Sequence, residues 1–202
     1  MKKVLLYTAV LCILSAFAPA QAQDKRTTEF GVEQRTNALE VGAEYLMPQG
    51  NFSNVYDNGF GAAVRYRLGL TANNSMIASI GYMRFKGQVV LAGNNPAADV
   101  NANFIPLKIG LKFRFLKYIY AAGEIGGTIS LGVNGTDQIN SLVVDQYRIK
   151  GFLLNFAPTI GVQIPVKAKN YLDLGIRYEG MTSGDPFYFT GIRAAYAFNL
   201  AR

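Results

Sequence analysis

The chain of 202 residues contains no histidine and no tryptophan, and only one cysteine, Cys12. Without histidine it has no imidazole to bind zinc or to move protons near neutral pH. A lone cysteine cannot close a disulfide within the chain. Long apolar runs are scarce too. The single clear one, Val4 to Phe17, is too short to cross a bilayer comfortably as a helix. It follows Lys2 and Lys3 and precedes Ala20-Gln21-Ala22, a small-x-small cleavage site. A signal peptide over 1–22 is therefore expected, cleaved after Ala22. Its loss takes Cys12 away, so the exported chain has no thiol nucleophile. Leu11 stands where a lipoprotein needs a small residue before its cysteine, which argues against lipid attachment there.

The remaining 180 residues suit one domain. Bases exceed acids by 20 to 13, or 18 to 13 once Lys2 and Lys3 are removed. A basic excess can mean nucleic acid, but an exported protein rarely meets any. Anionic lipid is a better candidate partner than nucleic acid, and a mildly basic surface with no special partner is the leading reading. No later segment is apolar enough for a spanning helix, so any insertion into a membrane must be made by strands.

What the chain has in abundance is alternation. Residues 24–37 are polar and aperiodic, a flexible leader over 23–37. Eight segments then alternate apolar with polar or glycine residues: 38–47, 60–70, 76–86, 104–115, 119–131, 149–164, 171–180 and 187–200. Ile105, Leu107, Ile109, Leu111, Phe113 and Phe115 share one face of the fourth, while Lys108, Gly110, Lys112 and Arg114 share the other. A period of two places these sets on opposite faces of a strand. Arg84 and two glycines interrupt the apolar faces of the third and fifth segments. The connections alternate in length. Residues 48–59, 87–103 and 132–148 are long, 71–75, 116–118 and 165–170 are short, and 181–186 falls at the long end. Short turns at one rim and long loops at the other are the pattern of outer-membrane barrels.

The polar faces decide which side meets lipid. They combine seven bases (Arg65, Arg67, Lys108, Lys112, Arg114, Arg177, Arg193) with five acids (Glu40, Glu44, Glu124, Asp173, Glu179), and they are rich in glycine. Glycine packs nothing on an open sheet, but inside a narrow barrel it makes room for a neighbour's long side chain. Near-balanced charge suits a confined lumen, where an unpaired charge is costly. Tyr45, Tyr66, Tyr82, Phe113, Phe115, Tyr118, Tyr178, Tyr196 and Phe198 fall near strand ends, where interfacial girdles sit. The expected fold is an all-β, eight-stranded antiparallel up-and-down transmembrane barrel over 38–202. Its apolar side faces outward, and an ion-pair network fills its lumen. A soluble lipocalin-like barrel with the apolar face inward is the alternative.

Three segments resemble the outer-membrane β-barrel domain family, the small OmpA/OmpX-like group in the form common among Bacteroidetes. They are Val41-Gly42-Ala43-Glu44-Tyr45, Ile105-Pro106-Leu107-Lys108-Ile109-Gly110-Leu111-Lys112-Phe113 and Gly191-Ile192-Arg193-Ala194-Ala195-Tyr196-Ala197-Phe198. The resemblance covers nearly the whole exported chain and carries architecture rather than activity. It implies the outer membrane of a Gram-negative cell, with outer-membrane lipid and lipopolysaccharide as surroundings and the barrel-assembly machinery as a partner during biogenesis. It also admits an extracellular ligand at the long loops. Two features depart from it. Phe198 is followed by Asn-Leu-Ala-Arg, where such chains often end on an aromatic residue. Pro158 lies inside a strand paired on both sides, where it cannot donate to the ladder, so a bulge is expected there.

Candidate chemistry is thin. Related barrels that act as lipid A acylases, deacylases or proteases rely on a histidine, which is absent. Glu40 and Glu44 share a face and could in principle work as an acid–base pair, but as lumen charges they would pair with Arg65 and Arg67. Asp57, Asp99, Asp137 and Asp145 lack the spacing of a calcium loop. No catalytic residue, metal or cofactor is expected. A structural or surface-interaction role leads. The alternatives are a narrow porin-like channel whose selectivity Lys108, Lys112 and Arg114 would set, and an accessory barrel of a secretion machine.

Overall fold

The computed structural model describes residues 37–89, 98–135, 150–166, 170–182 and 186–200. The expected signal peptide and nearly all of the leader lie outside them. Eight strands follow one another: β1 (Ala38–Gln49), β2 (Tyr56–Gly69), β3 (Asn74–Val89), β4 (Ala98–Arg114), β5 (Ile119–Gly135), β6 (Lys150–Pro165), β7 (Tyr171–Thr182) and β8 (Phe187–Asn199). Each pairs antiparallel with the next. β1 closes on β8 from Ala38↔Asn199 to Gln49↔Tyr188, so the sheet is a closed barrel with no free edge.

Alternation accounts for the two faces. Ile109, Ile125, Ile176, Ile192, Leu154 and Phe60 are all more than half exposed or nearly so, and their polar neighbours are buried inside. The apolar face therefore points outward, and the lipocalin-like alternative is set aside. Such a wall of exposed Ile, Leu, Val and Phe is tolerable only against lipid.

At one rim the turns are tight. Leu70 and Thr71 donate backbone N–H groups to the Asn74 carbonyl, and the Thr71 hydroxyl accepts from Asn73 and Asn74. At the other rim the strands run further than the sequence alternation suggests. β2 begins at Tyr56, β3 runs to Val89, β4 begins at Ala98 and β5 ends at Gly135. The connections expected over 48–59, 87–103 and 132–148 are correspondingly shorter. Above the apolar band the outward face turns polar while the inward face stays buried through Phe85, Val100 and Ala102, so an apolar outward face no longer marks the strand.

The bulge expected at Pro158 is absent. The β6–β7 ladder passes from Phe156↔Gly180 to Thr159↔Arg177 in unchanged register, omitting the two pairs between. Pro106 does the same between β3 and β4, where the ladder passes from Ile80↔Leu107 to Met83↔Phe104. A proline removes one N–H but leaves the strand extended, so the ladder skips and resumes. The register shifts fall elsewhere, at Tyr56/Gly59 in β2 and at Asn103/Phe104 in β4.

Candidate functional site

Every strand of the closed barrel sends alternate side chains into the lumen, and ten of them meet there as ions. Each of the five carboxylates has a basic partner at 2.7–2.9 Å: Arg193 for Glu40, Arg177 for Glu44, Arg65 for Glu124, Lys112 for Asp173 and Lys108 for Glu179. Further contacts join these pairs into one web. Glu40 also meets Arg65 and Lys112 at 3.6 Å, Arg193 reaches Asp173 at 2.9 Å, and Arg177 reaches Glu179 at 2.8 Å. Arg177 holds Glu44 through two parallel N–H donors at 2.9 and 2.8 Å, the strongest geometry available to a guanidinium and a carboxylate. All ten side chains are buried.

Neutral side chains take the remaining lone pairs. The Tyr120 hydroxyl donates to Asp173 at 2.7 Å and the Tyr171 hydroxyl to Glu40 at 3.0 Å. Ser79 donates to Glu124 at 2.8 Å, and Asn155 donates to Glu179 at 2.9 Å. The Lys112 ammonium also lies 3.8 Å over the Tyr120 ring. A hydrogen bond to a charged acceptor contributes about 1.5–3 kcal/mol. Tyr120→Phe and Tyr171→Phe are each expected to lower stability within that range, measured by chemical unfolding of refolded protein in lipid vesicles.

Two of the sequence candidates stand apart from the web. Arg67 is buried with its guanidinium 5.0 Å over the Tyr171 ring, and contrary to expectation pairs with neither Glu40 nor Glu44. Arg114 is partly exposed and donates to the Ala72 carbonyl in the β2–β3 turn. Both belong to the short-turn rim. The basic excess of the lumen is therefore confined to that mouth, and the middle is balanced, five against five.

Sequence reasoning missed the other end. Toward the rim with the longer connections the lumen turns apolar: Leu46, Met83, Phe85, Phe104, Leu153, Met181 and Phe189 form one buried cluster. A single 3-10 turn, Gly50–Asn54, folds Phe52 onto it. The Phe52 ring centroid lies 4.7 Å from Tyr56, 5.1 Å from Phe85 and 4.8 Å from Phe187. Phe85 in turn meets Phe189 at 5.4 Å. Below this lid a cavity of about 10 Å³ among Glu44, Arg65, Lys108 and Arg177 has room for one water.

No family model matches the sequence, and no curated protein matches it either. Solved structures do match. Ail, the attachment invasion locus protein of Yersinia pestis, in complex with the heparin analogue sucrose octasulfate, is 16% identical with a TM-score of 0.53. That match covers 82% of this chain and 100% of Ail. Neisserial surface protein A is 11% identical with a TM-score of 0.50, covering 81% of this chain and 97% of that one. The fold is that of a small outer-membrane barrel. At these identities the likeness speaks to architecture; it carries neither a role nor the Bacteroidetes form. What the barrel can do must be read from its own lumen and rims.

Proposed function

We propose that this chain is an integral protein of the bacterial outer membrane, exported by a cleaved signal peptide. Its barrel is a closed scaffold that holds the longer connections at the cell surface in a structural or surface-interaction role. Outer-membrane lipid surrounds it, and the barrel-assembly machinery inserts it. One observation carries the reading: the lumen is filled along its length. A neutral web of five bases and five acids occupies the middle, and an aromatic lid tops it. An ion entering from the short-turn mouth would meet paired charges and then the apolar lid, and one entering from the other rim would meet the lid first. The same pairing leaves none of the five lumen carboxylates free for general acid–base work, since each is held by a cation at 2.9 Å or less.

Planar-bilayer recording on refolded mature protein tests this, with insertion confirmed by the mobility of the unboiled sample on a gel. Silent inserted protein is the expected result. Current steps that shrink when Lys112 or Arg114 is neutralised would establish the narrow channel instead and make those cations its selectivity residues.

A further inference from the structure

The outward wall of the barrel carries very little charge. Among the strand residues whose side chains are described, Arg84 and Lys86 are the only basic ones that point away from the lumen. Both continue the outward column of β3, after Met76, Ala78, Ile80 and Tyr82, and both are exposed. Tyr82 marks where the apolar column ends, its hydroxyl donating to Asn103 at 2.7 Å. Arg84 pairs across the ladder with Phe60, the most exposed large apolar residue at 69%, and donates to Asn101 at 3.2 Å. The Lys86 side chain has no hydrogen-bond or ion-pair partner among the described residues. The nearby Asp99 carboxylate accepts from Gln88 at 3.0 Å.

Two cations next to exposed aromatic rings, at the rim with the longer connections, stand at the depth where a bilayer carries its phosphates. We propose that Arg84 and Lys86 form a docking site for a phosphate of lipopolysaccharide in the leaflet that meets this rim. The guanidinium, steadied by Asn101, offers paired N–H donors to two phosphate oxygens. The ammonium adds a point charge one residue pair further out. Phe60 and Tyr82 give the acyl chains beneath an apolar seat. The proposal rests on the outer-membrane reading and adds to it a site and a ligand chemistry.

Native mass spectrometry of the barrel released from phosphatidylcholine nanodiscs containing a fixed fraction of lipid A tests it. The wild type is expected to retain lipid A. A basic residue at an anionic lipid surface contributes about fivefold in association, so Arg84→Gln or Lys86→Gln should lower retention by that factor and the double variant by more. Lys117→Gln, at the opposite rim, should retain lipid A as the wild type does. The site is overturned if the double variant holds lipid A as well as the wild type, or if Lys117→Gln loses as much. A chain that will not enter nanodiscs removes the membrane reading and this site with it. One that inserts without preferring lipid A removes the site alone.

Discussion

Arg65→Ala is expected to destabilise the barrel by about 3–5 kcal/mol, the usual cost of leaving a buried ion without its partner. Arg65 is 2% exposed, and its guanidinium stands 2.7 Å from Glu124 and 3.6 Å from Glu40. Truncation leaves Glu124 with the Ser79 hydroxyl alone among the contacts described above. The web as a whole need not be stabilising, since desolvating ten ions cancels much of their attraction. Removing one member is a different matter, because the partner stays buried. Lys112→Ala should cost less, because Asp173 loses its 2.7 Å cation but keeps Arg193 at 2.9 Å. Ile109→Leu is the contrast: the side chain is 61% exposed on the outward wall, so the swap exchanges one aliphatic lipid contact for another and should stay within about 0.5 kcal/mol. Urea unfolding in lipid vesicles measures all three. If Arg65→Ala and Ile109→Leu were equally silent, the web would not hold the lumen together. A double-mutant cycle with Glu124→Ala separates pairing from packing, and a coupling near zero would assign the loss to packing.

The strands and their outward faces were legible because lipid enforces them. In the membrane-facing band an Ile109, Ile125 or Ile176 must alternate with a lumen residue, and the period survives in the sequence. Above the band that pressure ends: 48–59 is rich in Asn and Gly, and over 98–104 the alternation is inverted, with Asp99, Asn101 and Asn103 between the buried Val100, Ala102 and Phe104. Phe85, Phe104 and Phe189 share the lumen face with Gly81, Lys108 and Arg193, yet a polar lumen was expected, so these rings passed unread. The signal was present: Met83-Phe85 continues the inward column of Ser79-Gly81, and Phe189 that of Gly191-Arg193. Phe52 gave no such signal, because a 3-10 turn rather than a strand period brings it inward. The partners of each charge were not legible either. Glu44 lies beside Gly61 and Arg193 in its ladders, yet its 2.8 Å partner is Arg177, which reaches it from β7 across β8. Strand order predicts neighbours; a narrow lumen lets long side chains pass them.

Glycine separates the two faces in a second way, and two substitutions should differ sharply. A methyl group on Gly161, inside the lumen, would stand 2.6 Å from both the Tyr120 ring and the Leu174 carbonyl oxygen. The backbone cannot retreat within a closed ladder, so the ring must move, and its hydroxyl then leaves Asp173. Gly161→Ala is therefore expected to cost about 3 kcal/mol or more, combining overpacking with a lost hydrogen bond to a charge. Gly123 lies on the outward face of β5, paired with Leu111 and Pro158, and a methyl group there meets nothing within 4 Å. Gly123→Ala should be neutral or stabilise by about 0.5 kcal/mol, because alanine narrows the freedom of the unfolded chain. Unfolding midpoints of the two variants in the same lipid decide the matter. Equal midpoints would mean that Tyr120 yields freely, and that the ring seated on Gly161 is not what holds Asp173 in the web. A large loss at Gly161 alone would show that the glycines of the inward face are there to admit their neighbours' rings, the reason a narrow barrel can hold so many long side chains at once.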